Sequence, residues 1–189
     1  MSEKFRPEIG IPNLAGKTIG DFWAWAYSDI LSNSNRGVFA EFLVGSALDA
    51  VTAPRIEWDS YDLRYGDKKI EVKASGYIQS WNQSKPSTIS FDIAPKNSLD
   101  GVTNTFANVV KRSADCYVFC LYTEQDKSRA NVLDIAMWVF YVLATTRLDA
   151  VFGSQKQVGL KVLQKYCEPI KYEQLRLAVD RALFGSDLA

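Results

Sequence analysis

Tyr61-Asp62-Leu63-Arg64-Tyr65-Gly66-Asp67-Lys68-Lys69-Ile70-Glu71-Val72-Lys73-Ala74-Ser75 is the stretch on which the fold turns. Gly66-Asp67 marks a tight turn, because glycine accepts positive φ without steric cost and aspartate favours turns. Side chains alternate between the two faces of a strand. Ile70, Val72 and Ala74 therefore share one face of the second strand, and Glu71, Lys73 and Ser75 share the other. With Gly66 and Asp67 as loop residues, Tyr65 lies opposite Lys68, and Asp62 lies opposite Glu71. Directly opposed side chains have Cβ atoms about 5 Å apart, and like charges there destabilise the pair. Two carboxylates so placed call for a compensating cation or a shared proton. Lys73 sits one step along the same face. Two carboxylates and a lysine on one hairpin face suit a hard divalent metal, which takes oxygen ligands and commonly binds through one or two carboxylates plus substrate phosphate.

Asp62, followed after eight residues by Glu71-Val72-Lys73, resembles the core of the PD-(D/E)XK nuclease superfamily, the restriction-endonuclease-like fold. The resemblance covers roughly residues 34–145. It departs from the pattern at Tyr61, where a proline would precede the aspartate. It implies an α/β fold, with a mixed central β-sheet flanked by helices and a C-terminal helical extension. It also implies that Asp62, Glu71 and the backbone carbonyl of Val72 hold Mg²⁺ (Mn²⁺ substituting), and that Lys73 assists the attacking water. Glu41, an acid on an otherwise apolar helix, matches the glutamate that often completes this metal site. Gln79 resembles a glutamine that some members carry shortly after the E-x-K. The implied activity is hydrolysis of DNA phosphodiester bonds in restriction, repair or phage defence. The alternative on the same fold is a catalytically silent nucleic-acid-binding or dimerisation module, since function lives in sites rather than folds.

Length and composition agree with one globular domain. The chain has 189 residues, 47% of them hydrophobic, enough to bury a substantial core. We expect a single nuclease-like domain: an N-terminal arm and helix over 1–33, the core over 34–145, and helices over 146–189. The N-terminus lacks an apolar signal region and no long apolar run follows, so a cytoplasmic protein with no membrane contact is expected. Three cysteines and no histidine argue against a disulfide framework and a Cys/His zinc site, and exclude histidine-based triads. Formal net charge is zero, so DNA contact requires lysines and arginines gathered on one face.

In chain order, Thr18 and Asp21 form a near capping box ahead of an aromatic helix over Asp21–Leu31. Its aromatic surface suits core packing or a homodimer, with base stacking on DNA as the alternative. A second helix is expected over Arg36–Ala50. Apolar residues surround it almost completely, so Glu41 needs a partner: a metal, or a salt bridge to Arg36 or Lys73. Arg36 is alternatively a phosphate contact. Strands are expected over Ile56–Tyr65, Lys69–Gly76, Thr88–Ala94, Cys116–Tyr122 and Met137–Leu143. A polar turn is expected at 96–101, and a helical piece ending at Lys111-Arg112. Short helices at Leu148–Phe152 and Leu160–Tyr166 precede a last helix over Lys171–Leu183. Trp81, Ser84 and Lys85 lie in a loop that either faces nucleic acid or is simply solvated.

Overall fold

The computed structural model describes residues 4–57, 59–100 and 105–185, and its centre is the hairpin. β1 (Leu63–Tyr65) and β2 (Lys68–Gly76) run antiparallel, with Leu63 opposite Ile70 and Tyr65 opposite Lys68. Gly66 supplies the positive φ, +61°, that the turn needs. The expected register is therefore the observed one. The first strand is much shorter than Ile56–Tyr65, however. Residues 56 and 57 are not in a strand, Ile56 is exposed, and Asp59 folds back to accept the Ser60 N–H at 2.8 Å. This local side-chain bond competes with ladder pairing.

Two helices precede the hairpin. α1 (Ile19–Tyr27) opens on a full Thr18/Asp21 capping box and buries none of its residues. It stops short of Leu31, with the Ser28 hydroxyl bonded back to the Ala24 carbonyl at 2.5 Å. α2 (Asn33–Ala47) is capped by Ser32. Gly45 lets α2 approach the hairpin closely: a Cβ there would meet Val51 Cγ2 at 2.7 Å and Leu63 Cδ2 at 3.2 Å.

After β2 come β3 (Ser90–Asp92), β4 (Lys96–Asp100) and β5 (Thr105–Lys111). β4 and β5 pair as an antiparallel hairpin. A turn and a helix were expected there. The sequence Thr-Phe-Ala-Asn-Val-Val-Lys is rich in β-branched and aromatic residues, which suit a pleated surface better than a helix. Arg112 ends no helix of its own, since the residues before it form β5. Its buried guanidinium donates to the carbonyls of Ile93 (2.7 Å), Gly153 (2.8 Å) and Gln155 (3.1 Å), and pairs with Asp149. β6 (Cys116–Tyr122) is buried along its whole length. β7 (Trp138–Ala144), α3 (Thr145–Phe152), β8 (Gln157–Gly159), α4 (Leu160–Leu163) and α5 (Leu175–Phe184) complete the chain. The short β8 pairs with β3 and was not expected.

The central sheet has the order β1-β2-β6-β7. β2 and β6 are parallel and the outer pairings are antiparallel, a mixed sheet flanked by helices. One face buries Ile70, Val72, Cys116 and Cys120 against α2 and α5, through Leu43, Val44, Leu175 and Val179. The other buries Tyr117, Phe119 and Leu121 against β3, β8, α3 and α4. Glu71, Lys73 and Ser75 stand in register with Tyr117, Phe119 and Leu121, so the polar face of β2 lies on this second side. Among the described residues no helix is long and apolar enough to cross a membrane. The three cysteines are free.

Candidate active site

β1 begins at Leu63, but contact with β2 already starts one residue earlier. The Asp62 N–H donates to the Ile70 carbonyl at 3.0 Å. Two residues further along the same edge of β2, the Val72 N–H donates to Asp62 Oδ2 at 2.7 Å. Carboxylate takes over from strand where the ladder stops. In an extended strand a residue's N–H and C=O point to the same side, so the Val72 carbonyl faces this edge too. Glu71 and Lys73, both largely buried, form an ion pair of 2.5 Å.

Burial raises the Asp62 carboxyl. The Val72 N–H, Lys73 and Arg55 oppose that rise, and Glu41 adds to it. Burial likewise raises Glu71, with Asp62 adding to the effect and Lys73 opposing it. For Lys73, burial by itself lowers the ammonium, but Glu71, Asp62 and Asp92 outweigh it and hold it above its ordinary range. The two carboxylates thus stand in an excess of negative charge, and the lysine is firmly protonated.

Glu41, on α2, lies close enough for its charge to act on Asp62. Its partner is neither Arg36 nor Lys73. Arg55 grips it with a fork, Nε to Oε2 at 2.5 Å and Nη2 to Oε1 at 2.9 Å. Arg55 carried no signal in the sequence, since it sits in an irregular segment after Pro54. Asp92 on β3 also contributes to the field at Lys73. Its Ser-Phe-Asp strand brings it there through tertiary packing that no local pattern encodes.

Gln79 lies apart from this cluster in its hydrogen bonding. Its Oε1 accepts both Arg36 Nη1 and Nη2 at 3.2 Å, and its Nε2 donates to the Gly76 carbonyl (3.1 Å) and Ser87 Oγ (3.2 Å). Arg36 is buried and donates in addition to the carbonyls of Leu31 (2.9 Å) and Ile78 (3.3 Å) and to Asn33 Oδ1. It is a clamp between the start of α2 and the end of β2, with no surface to offer a phosphate.

The donor set fits a hard divalent cation in part. Asp62 and Glu71 are oxygen donors raised by burial and mutual repulsion, the condition that a cation relieves. Both oxygens of Glu41 are already engaged by Arg55. Among the described residues no three His, Cys, Asp or Glu side chains converge as a ready cage. A metal held by two carboxylates, a backbone carbonyl and water suits Mg²⁺, which keeps several waters.

Fold and site together define an α/β domain with a paired-carboxylate and lysine site at the open edge of a mixed sheet. A family model described as bacteriophage T4 endonuclease IV matches residues 25–147. That stretch is more than half of the chain and includes every residue of the site, and the chain belongs to this family of endonucleases. No curated protein gives a match.

Proposed function

We propose that the chain is a metal-dependent endonuclease of DNA, with Asp62, Glu71 and Lys73 as its working residues. The observation that carries this reading is the juxtaposition of Asp62 and Glu71, two partly buried carboxylates on one hairpin, with the Glu71–Lys73 ion pair beside them. The restriction-endonuclease-like reading draws support from the order of parts: helix α2, hairpin β1–β2, then the parallel strand β6.

Asp62, Glu71 and the Val72 carbonyl would hold Mg²⁺ or Mn²⁺. When bound, such an ion supplies an acidified water and neutralises charge on the phosphate. The Val72 N–H fixes one oxygen of Asp62 and leaves Oδ1 as its outward donor. Lys73 as an ammonium orients the nucleophilic water and stabilises the negative charge that grows on the phosphoryl oxygens. Arg55 positions Glu41, whose charge reaches Asp62, and so sets the field around the ligands. Gln79 serves the site indirectly, by fixing the end of β2 through Arg36.

Incubation of the full chain with supercoiled plasmid and with single-stranded DNA, with Mg²⁺ or Mn²⁺ and with EDTA, tests the proposal. Cutting that requires the metal is the expected result. Cutting that persists undiminished in EDTA contradicts it.

A further inference from the structure

The segment after β2 is a loop held firmly around an indole that packs against little. Gln83 Oε1 accepts the Gln79 N–H at 2.7 Å, and Gln83 Nε2 donates to Ser87 Oγ at 2.9 Å and to the Tyr77 carbonyl at 3.3 Å. The Ser87 N–H closes the loop on the Tyr77 carbonyl at 2.8 Å. From the loop after β6, Lys127 Nζ donates to the carbonyls of Ser80 (2.7 Å) and Trp81 (3.2 Å). Yet Trp81, at the tip, is 53% exposed. Tryptophan is highly buried on average and gains most of its worth from contact area. A loop ordered by this many bonds, with its largest apolar group left in water, is built to present that group.

Its surroundings say what to. Beside it is a concavity of about 260 Å³ whose lining includes Asn82, Lys85, Gln125 and Lys127. No described carboxylate pairs with either lysine. The nearby acids are engaged elsewhere, Glu124 with Arg129 at 3.0 Å and Asp126 with Arg129 at 3.5 Å. Lys127 has three N–H donors and spends two on the loop, leaving one. An exposed aromatic face beside unpaired lysines is the arrangement that binds nucleic-acid strands through base stacking and phosphate contact. Free amides of the Asn and Gln kind can read base edges.

The geometry points to Trp81 as a stacking platform for an unpaired nucleobase of the substrate, with Lys85 and Lys127 on the neighbouring phosphates. It relies on the nuclease reading for the identity of the ligand. β2 rises about 3.3 Å per residue, so the loop begins about 13 Å beyond Lys73, within reach of one bound strand.

Binding of a fluorescein-labelled single-stranded oligonucleotide to the full chain, in a Glu71→Gln background so that cutting does not intervene, tests this. Trp81→Ala weakens binding roughly 5- to 100-fold and Trp81→Phe restores most of it. One abasic position in the oligonucleotide costs the parent a similar factor and costs Trp81→Ala nothing further. Lys85→Ala lowers the steepness of the salt dependence by somewhat under one unit. Binding by Trp81→Ala within twofold of the parent, no abasic position that matters, or no binding by the parent overturns the platform. Tight, Trp81-dependent binding by a wild-type protein that cuts nothing leaves the platform standing and removes the nuclease reading instead.

Discussion

At the scale of single residues, the site is arranged at the expense of stability. Asp62 and Glu71 hold carboxylates where burial and mutual repulsion favour the neutral form. Asp62→Asn keeps an oxygen to accept the Val72 N–H and removes one of the crowded charges. We predict that it abolishes cutting yet raises the melting temperature of the metal-free protein at neutral pH by a few degrees, the shift expected of about 1 kcal/mol in a chain of this size. The sign of the pH dependence follows. A carboxyl whose folded pKa lies above its unfolded value, about 4, contributes stability that is full below the unfolded pKa and lost as pH rises through the folded one. The stability advantage of Asp62→Asn over wild type should therefore shrink as pH falls from 7 toward 4, and a thermal melt at several pH values checks it. A bound metal would work in the opposite direction. Mg²⁺ or Mn²⁺ should stabilise wild type, by about 2.7 kcal/mol at a hundredfold excess over the dissociation constant, and should leave the melt of Asp62→Asn nearly unmoved.

At the scale of elements, the hairpin was legible because two local rules agreed. Gly66-Asp67 fixed the turn, and the alternation of Ile70, Val72 and Ala74 against Glu71 and Lys73 fixed the faces, so the opposition of Asp62 and Glu71 followed. The partners of the polar groups were not legible. Arg55 reaches Glu41 from an irregular segment, and Arg36, read as a candidate phosphate contact, is buried by α2 and the loop after β2. Nothing in a sequence periodicity says which of several arginines a glutamate will meet. The β4–β5 pair was missed because Asn97, Ser98, Asp100 and Gly101 read as a turn, although Asn97, Ser98 and Asp100 belong to a strand and Gly101 lies outside the described residues. β8 is a three-residue strand, shorter than any pattern can reveal. The Arg36 clamp carries a prediction of its own. Arg36→Met strips the donors from the Leu31 and Ile78 carbonyls and from Gln79 Oε1, which costs about 2–4 kcal/mol and loosens the loop after β2. Denaturant unfolding measures the first effect, and faster hydrogen exchange over residues 77–87 the second.

At the scale of the molecule, the sheet divides the protein into two cores, and the site lies at one edge of the sheet. The family match ends at residue 147, but the structure does not. α5 packs Leu175 and Val179, both 0% exposed, into the core shared by α2 and the sheet. Ile170 bridges to Phe140 on β7. Arg176 donates to the Ala47 carbonyl at 3.0 Å and ties α5 to the end of α2. A chain cut after Glu168 should lose its cooperative unfolding transition, because removing buried leucine- and valine-sized side chains costs several kcal/mol in total. Circular dichroism during heating distinguishes that outcome from a truncated chain that still melts sharply. The expected helical extension is therefore structural: it closes the core behind the strand that carries Glu71 and Lys73.

Catalysis at this hairpin would depend most directly on Lys73. The measurement is the single-turnover rate of DNA cleavage with saturating Mg²⁺, wild type against Lys73→Ala, on samples whose far-ultraviolet spectra match. We predict a loss of about 10²- to 10⁴-fold, the range a positioned proton-transfer or charge-stabilising group contributes. Cleavage by Lys73→Ala at the wild-type rate would contradict the assignment of this hairpin as the catalytic centre.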